Sequence, residues 1–227
     1  MGGQVEDGPG EVDIADALGS FSGRMLDPIA DKPPDEQILI LVLGFLMAPL
    51  FLIVPLMVSS VIAADAFAGE KERRTIEAML NLPISDRDLF IAKILGAFIP
   101  SMIISWVGFL CYAIIANALA WPIMERIFVP TSLWLVMIFW VGPAVATLGL
   151  GVMVRVSARA RTTQEATQLG GAVILPLIFL ALGQSTGLLL VDLPIAVGVG
   201  AVVWVAAGFL IAQGARRFTR ERLAARL

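Results

Sequence analysis

Long apolar stretches alternate with short polar connections along most of the chain, at about residues 38–64, 89–119, 133–154, 166–190 and 195–213. The first has length to spare, since a helix rising about 1.5 Å per residue must cover a hydrocarbon core of about 30 Å. The pattern predicts an all-α, polytopic membrane bundle of five transmembrane helices. Pro49 and Pro55 in the first stretch and Gly142-Pro143 in the third predict kinks, tolerated in lipid when neighbours satisfy the freed carbonyls. Trp121-Pro122 closes the second, where an indole suits the membrane-water boundary, and Trp134 opens the third.

One polar island, residues 65–93, interrupts this pattern and reads DAFAGEKERRTIEAMLNLPISDRDLFIAK. Residues 69–82 predict a short amphipathic helix, with Ile76, Met79 and Leu80 on one face and Glu70 four residues before Arg74. Asn81 and Pro83 stop it. Ser85-Asp86-Arg87-Asp88 is a capping-box pattern: the serine hydroxyl takes the amide three residues on, Asp88 reaches back to the cap, and a new helix starts at about Asp86. A hairpin between spans needs only about 2–8 residues. The excess length, with structure of its own, suits a surface that a cytosolic partner grips; the plainer reading is a solvated connecting loop.

Composition places the chain in a membrane: 58% of residues are hydrophobic, 15% charged, and the mean hydropathy is +0.88. Histidine is absent, which removes His-based zinc sites and Ser-His hydrolysis. The single cysteine, Cys111, lies in an apolar run as a small hydrophobe. No GxxxxGK[ST] phosphate loop occurs. The cores of the five stretches hold no Asp, Glu, Lys or Arg, which disfavours a proton-driven carrier and an intramembrane enzyme. No residue draws a catalytic or metal-binding role, and nothing points to nucleic acid.

The island carries Lys71, Arg73, Arg74, Arg87 and Lys93, the connection near 155–165 carries Arg155, Arg159 and Arg161, and the tail carries five arginines. These thirteen cations against three elsewhere predict that the island and the C-terminus are cytoplasmic and the N-terminus outside. The chain divides accordingly into an acidic extracytoplasmic head (1–37), a transmembrane domain (38–215) and a basic tail (216–227) lying at the membrane surface. The head holds nine carboxylates, and Val12, Ala15, Leu18 and Phe21 suggest a short helix in it. An odd number of spans with an external acidic head is the pattern expected if a further span precedes residue 1. In the fourth stretch Gly183-Gln184-Ser185-Thr186-Gly187 has a GxxxG spacing, suited to close helix approach; Gln184, Ser185 and Thr186 are the candidates for contact with a transported substrate.

The run GEKERRTIEAMLNLPISDRDLFIAK resembles the signature of ABC type-2 transporter permeases, matched at Glu70, Glu72, Thr75, Glu77, Leu80, Pro83, Ile84, Ser85 and Lys93. The second connection is similar too, at Ser157, Arg159, Glu165 and Ala166. Arg74 stands where many members have glycine, which looks more like the sodium-exporter-type branch. The resemblance implies a prokaryotic plasma-membrane protein of six spans, of which these five are spans two to six. It implies pairing with a second permease half, as homo- or heterodimer, and with cytosolic ATPase subunits that bind the ATP and magnesium; no cofactor is expected in this chain. It places a coupling helix at 69–82. On that basis Arg73, Arg74 and Glu77 are polar contacts to the ATPase and Ile76 and Leu80 apolar ones, with Arg161 in the second cytoplasmic loop. The alternative is a membrane anchor or sensor that recruits a cytosolic protein and transports nothing.

Overall fold

A computed structural model describes residues 29–73, 85–160, 162–185 and 193–217. Its elements there are all helical. We label them α1 (Pro34–Gly69), α2 (Asp86–Met124), α3 (Ser132–Ser157), α4 (Thr163–Gly170), α5 (Leu175–Ser185) and α6 (Leu193–Arg217). α1, α2, α3 and α6 are each long and apolar enough to cross a membrane.

α1 bends where its prolines withhold amide donors. Pro49 and Pro55 offer no N–H to the carbonyls four residues earlier. The helix answers with a π segment at Ile40–Leu46 and a tight turn at Leu52, whose amide donates to Pro49 O at 3.2 Å. The third span does the same: a π segment, Met137–Val141, precedes Gly142-Pro143. The fourth apolar stretch does not form one even helix in the described part. α4 and α5 are joined by a 3₁₀ turn, Gly171–Ile174. Two successive glycines weaken the helix there, and Pro176 leaves the Ala172 carbonyl without its usual donor.

Helix α3 is the centre of the bundle. In its most apolar window 61% of residues are buried, against 28% in α2 and 17% in α6, and it packs on α1 and α6 along opposite sides. Small residues permit both approaches. A Cβ on Gly149 would lie 2.7 Å from Leu56 Cδ1 and 2.8 Å from Ser60 Oγ, while one on Gly151 would lie 2.7 Å from Leu210 Cβ. Ser59 Oγ donates across the first crossing to Ala146 O at 3.1 Å. Gly149→Val is therefore expected to pry α1 from α3 and cost about 1–3 kcal/mol, the usual penalty of overpacking. Gly198→Ala is the control, because a Cβ there meets nothing within 4 Å. Unfolding midpoints in graded denaturing detergent check both.

At the end of the bundle holding the 125–131 connection, Trp134, near the start of α3, is fully buried. It stacks on Phe109 at 5.3 Å and meets Phe51 edge-on at 5.7 Å. Its Nε1 and the Tyr112 hydroxyl both donate to Leu43 O, at 3.2 and 2.8 Å. The carbonyl of a π segment thus gives the buried indole N–H the partner it needs. Trp121 is 55% exposed. Helix α2 runs past it and past Pro122 to Met124, ending on Glu125 in the left-handed conformation (φ 48°).

The expected helix at Val12, Ala15, Leu18 and Phe21 lies outside the described residues, as does the tail beyond Arg217.

Candidate functional site

The ends of α2, α3 and α6 that adjoin the three basic segments meet at the opposite end. A Cβ on Gly214 of α6 would lie 2.9 Å from Val154 Cγ1 of α3 and 3.4 Å from Phe90 Cζ of α2. The polar island is an elbow between α1 and α2. Its first limb shows no break at residue 65: α1 continues as a π segment, Asp65–Gly69, directly into a helical turn, Glu70–Glu72. The sequence placed the start of a separate helix at Gly69, yet nothing in 65–69 interrupts a helix except one glycine. A Cβ on Gly69 would meet Asp65 Oδ1 at 2.6 Å, so a larger residue there would displace the carboxylate that Arg73 holds. Arg73 Nη2 donates to Asp65 Oδ1 at 2.9 Å and ties the turn back onto α1.

The second limb starts as the capping pattern predicts. Ser85 is extended (φ −71°, ψ 151°) and its hydroxyl accepts from the Asp88 amide at 3.1 Å, opening α2 at Asp86. The return half differs: Asp88 Oδ2 accepts from the Ser85 hydroxyl itself, at 2.6 Å. A carboxylate one methylene shorter than glutamate reaches the hydroxyl more easily than the cap amide.

Lys93 joins the limbs. Its Nζ pairs with Glu70 Oε2, donates to Ala66 O at 2.9 Å, and lies 5.3 Å from the centre of the Phe67 ring. Glu70 thus reaches across to α2; the expected neighbour on its own helix, Arg74, lies outside the described residues. The Phe67 ring in turn packs on Phe90 at 6.1 Å. The lysine has apolar surroundings for its stem and charge and dipole partners for its head.

A second tie runs to the next connection. Glu72 Oε2 accepts from the Thr163 amide at 2.9 Å and from its hydroxyl at 3.1 Å, across 91 positions of sequence. Thr163 is the first residue of α4, whose N-cap hydroxyl, from Thr162, takes the Glu165 amide at 3.1 Å. So a carboxylate of the elbow occupies the donor-rich start of α4. The two Thr163 bonds, and then Arg73, hold the Glu72 carboxyl below its ordinary 4.5. Folded-state depression means that this contribution is present above the unfolded value and disappears as pH falls through the folded one. The expected result is that Thr163 amide protection, corrected for intrinsic exchange, is flat from neutral pH down to the ordinary glutamate range and is lost as pH falls through the lowered folded value. In Glu72→Gln it should be weak at every pH.

Of the residues the sequence proposed, Glu70, Glu72 and Arg73 lie in one turn that ties to Lys93, Thr163 and Asp65, while Ser85 caps α2. Arg74, Thr75, Ile76, Glu77, Leu80 and Pro83 lie outside the described residues. In the second connection Ser157 is buried, with its hydroxyl unpartnered, while Arg159 and Glu165 are exposed; Arg161 lies outside. Gln184 and Ser185 close α5 at a distance along the chain from the elbow, and Thr186 is outside the described residues. Asp65 and Thr163 were not anticipated. Thr162-Thr163-Gln164-Glu165 carries a capping-box signature, which marks the start of α4 but not the carboxylate that visits it.

A family model described as ABC-2 family transporter protein matches residues 4–189, most of the chain. The chain belongs to the ABC-2 transporter family. No curated protein and no solved structure gives a match. Membership makes this multi-pass bundle a membrane permease component, of a kind that is typically non-catalytic and associates with an ABC ATPase.

Proposed function

We propose that this ABC-2 protein is the permease subunit of an ATP-driven transporter, and that the elbow at 65–93 receives the stroke of a separate cytosolic ATPase subunit, which binds the ATP and magnesium. The observation that carries this reading is the double tie. The segment between Arg73 and Ser85 leaves from a turn held to α2 through Glu70–Lys93 and to α4 through Glu72–Thr163. A load applied to that segment reaches the second span and the second connection together, as a rigid-body displacement requires. The cytosolic placement rests on the cation count, and the coupling helix at 69–82 on the family motif. A second permease half completes the pathway, and the Gln184–Thr186 region contributes to it.

The deciding experiment is co-purification of the chain with its ATPase subunit. Deleting residues 75–80 should abolish the complex while the permease stays monodisperse and helical. A complex that survives the deletion would end the docking role. A complex that forms normally but shows no ATPase stimulation in proteoliposomes would favour the anchor or sensor instead.

A further inference from the structure

Among the described residues three segments take the π form, and two of them have a local cause. Ile40–Leu46 and Met137–Val141 contain Phe45 and Phe139, whose carbonyls are denied their usual donors by Pro49 and Pro143. The third, Asp65–Gly69, has no such cause: no proline lies between Pro55 and Pro83, and its one glycine weakens an α-helix without widening it. A π turn is the rarer and less favourable form, so where the residues do not call for it the surroundings must hold it.

Three ties converge on this segment. Lys93 of α2 donates to Ala66 O at 2.9 Å inside it and pairs with Glu70 just beyond it. Arg73 is drawn back to Asp65 at 2.9 Å. Glu72 is aimed at Thr163 of α4, whose amide donates to it at 2.9 Å. A π turn takes in one residue more than an α turn, and one residue of an α-helix is about 100° of rotation. Glu70 and Glu72 therefore face Lys93 and Thr163 only while the surplus residue is kept. An even α-helix continued from Ala64 would swing both away. The surroundings permit that swing, because the buried residues clustered with Ala68 are mainly alanines: Ala63, Ala64, Ala97, Ala160 and Ala166.

We propose that Asp65–Gly69 is a two-register switch in α1. In the π register, Lys93 holds the surplus residue and Glu72 reaches α4. When the lysine lets go, the segment relaxes to an α-helix, the elbow turns by about 100° and the tie to α4 opens. The second span and the second connection thereby communicate through α1. The switch is a property of this chain alone and holds whatever docks at the elbow.

Hydrogen exchange of the Thr163 amide, in the full chain in nanodiscs at neutral pH, reads the register, since only the π form presents its acceptor Glu72. Lys93→Met should lower Thr163 protection by at least about tenfold, the scale of one hydrogen bond to a charged group, although Glu72 and Thr163 are both intact. Deleting Ala68 in the Lys93→Met background should restore protection, because the shortened segment is a plain α-helix that presents Glu72 as the π form did. Deletion of Ala68 alone should leave protection at the wild-type level. Deletion of Ile62, in the regular α-helical part of α1, should abolish protection or the fold itself. Circular dichroism and monodispersity establish that the lysine variants are folded; should Lys93→Met fail, Glu70→Gln/Lys93→Met, which removes both charges, takes its place in both backgrounds. Undiminished protection in the lysine variant would mean that the π form holds itself and would overturn the proposal. So would protection that the Ala68 deletion does not restore, which would make Lys93 a plain brace. An Ala68 deletion as damaging as that of Ile62 would show that the segment holds no surplus residue, and would equally contradict it.

Discussion

Replacing Lys93 with methionine is expected to cost about 3 kcal/mol and to disconnect the elbow from α2. The lysine side chain is 11% exposed and its partner Glu70 25%, so the pair is largely withdrawn from water. Removing one member leaves a carboxylate facing Phe67 and the end of α1 without its counter-charge, which is more damaging than losing an exposed ion pair. The loss also removes the bond that Ala66 O accepts from Nζ at 2.9 Å. Lys93→Met combined with Glu70→Gln removes both charges together and should recover more than half of the stability. Thermal unfolding of the four members of this cycle gives the coupling energy directly. Coupling below about 0.5 kcal/mol would mean that the pair is ornamental to stability. ATPase stimulation should fall in both lysine variants, including the one whose stability returns, because neither retains the tie.

Asn117→Leu is expected to have a comparable effect at the opposite end of the molecule. The Asn117 amide is the organising contact of the connection between α2 and α3. Oδ1 accepts from the Phe128 amide at 2.7 Å and the Val129 amide at 3.0 Å, and Nδ2 donates to Val129 O at 2.6 Å and Ala113 O at 2.7 Å. Val129 is 1% exposed, in the same cluster as Trp134. Leucine fills similar volume but leaves three backbone groups of that connection without partners. At about 1–3 kcal/mol for each group that water cannot reach, the loss is roughly 3 kcal/mol. Protease cleavage within 125–131 should rise in parallel, since the ion pair of Arg126 with Glu36 is exposed on the arginine side and cannot hold the loop alone.

The spans and their ends were largely legible in the residues because apolar length and capping chemistry are local. The start of α2 at Asp86 could be read from Ser85 to Asp88, and the bends of α1 and α3 from their prolines. What the residues hid were contacts between distant segments. Glu70 could be read as a partner for Arg74 four residues on, but its pairing with Lys93 of α2 shows only in the packing of α1 on α2. Glu72 and Thr163 carry no mutual signal across 91 positions. Nothing near Trp134 in the chain marks it for burial against the π segment of α1, whose Leu43 O takes its indole N–H. The broken course of the fourth stretch was written in Gly170, Gly171 and Pro176, yet hydropathy alone averages over such punctuation.

The claim on which the functional reading turns is that the elbow is a cytosolic handle gripped by an ATPase. The direct measurement is labelling of Glu77→Cys by a membrane-impermeant maleimide, in a Cys111→Ser background, using right-side-out and inside-out vesicles with and without the ATPase subunit. Labelling only from the cytosolic face, strongly suppressed when the subunit is bound, is the predicted result. Labelling from the outer face, or labelling indifferent to a bound ATPase, would contradict it.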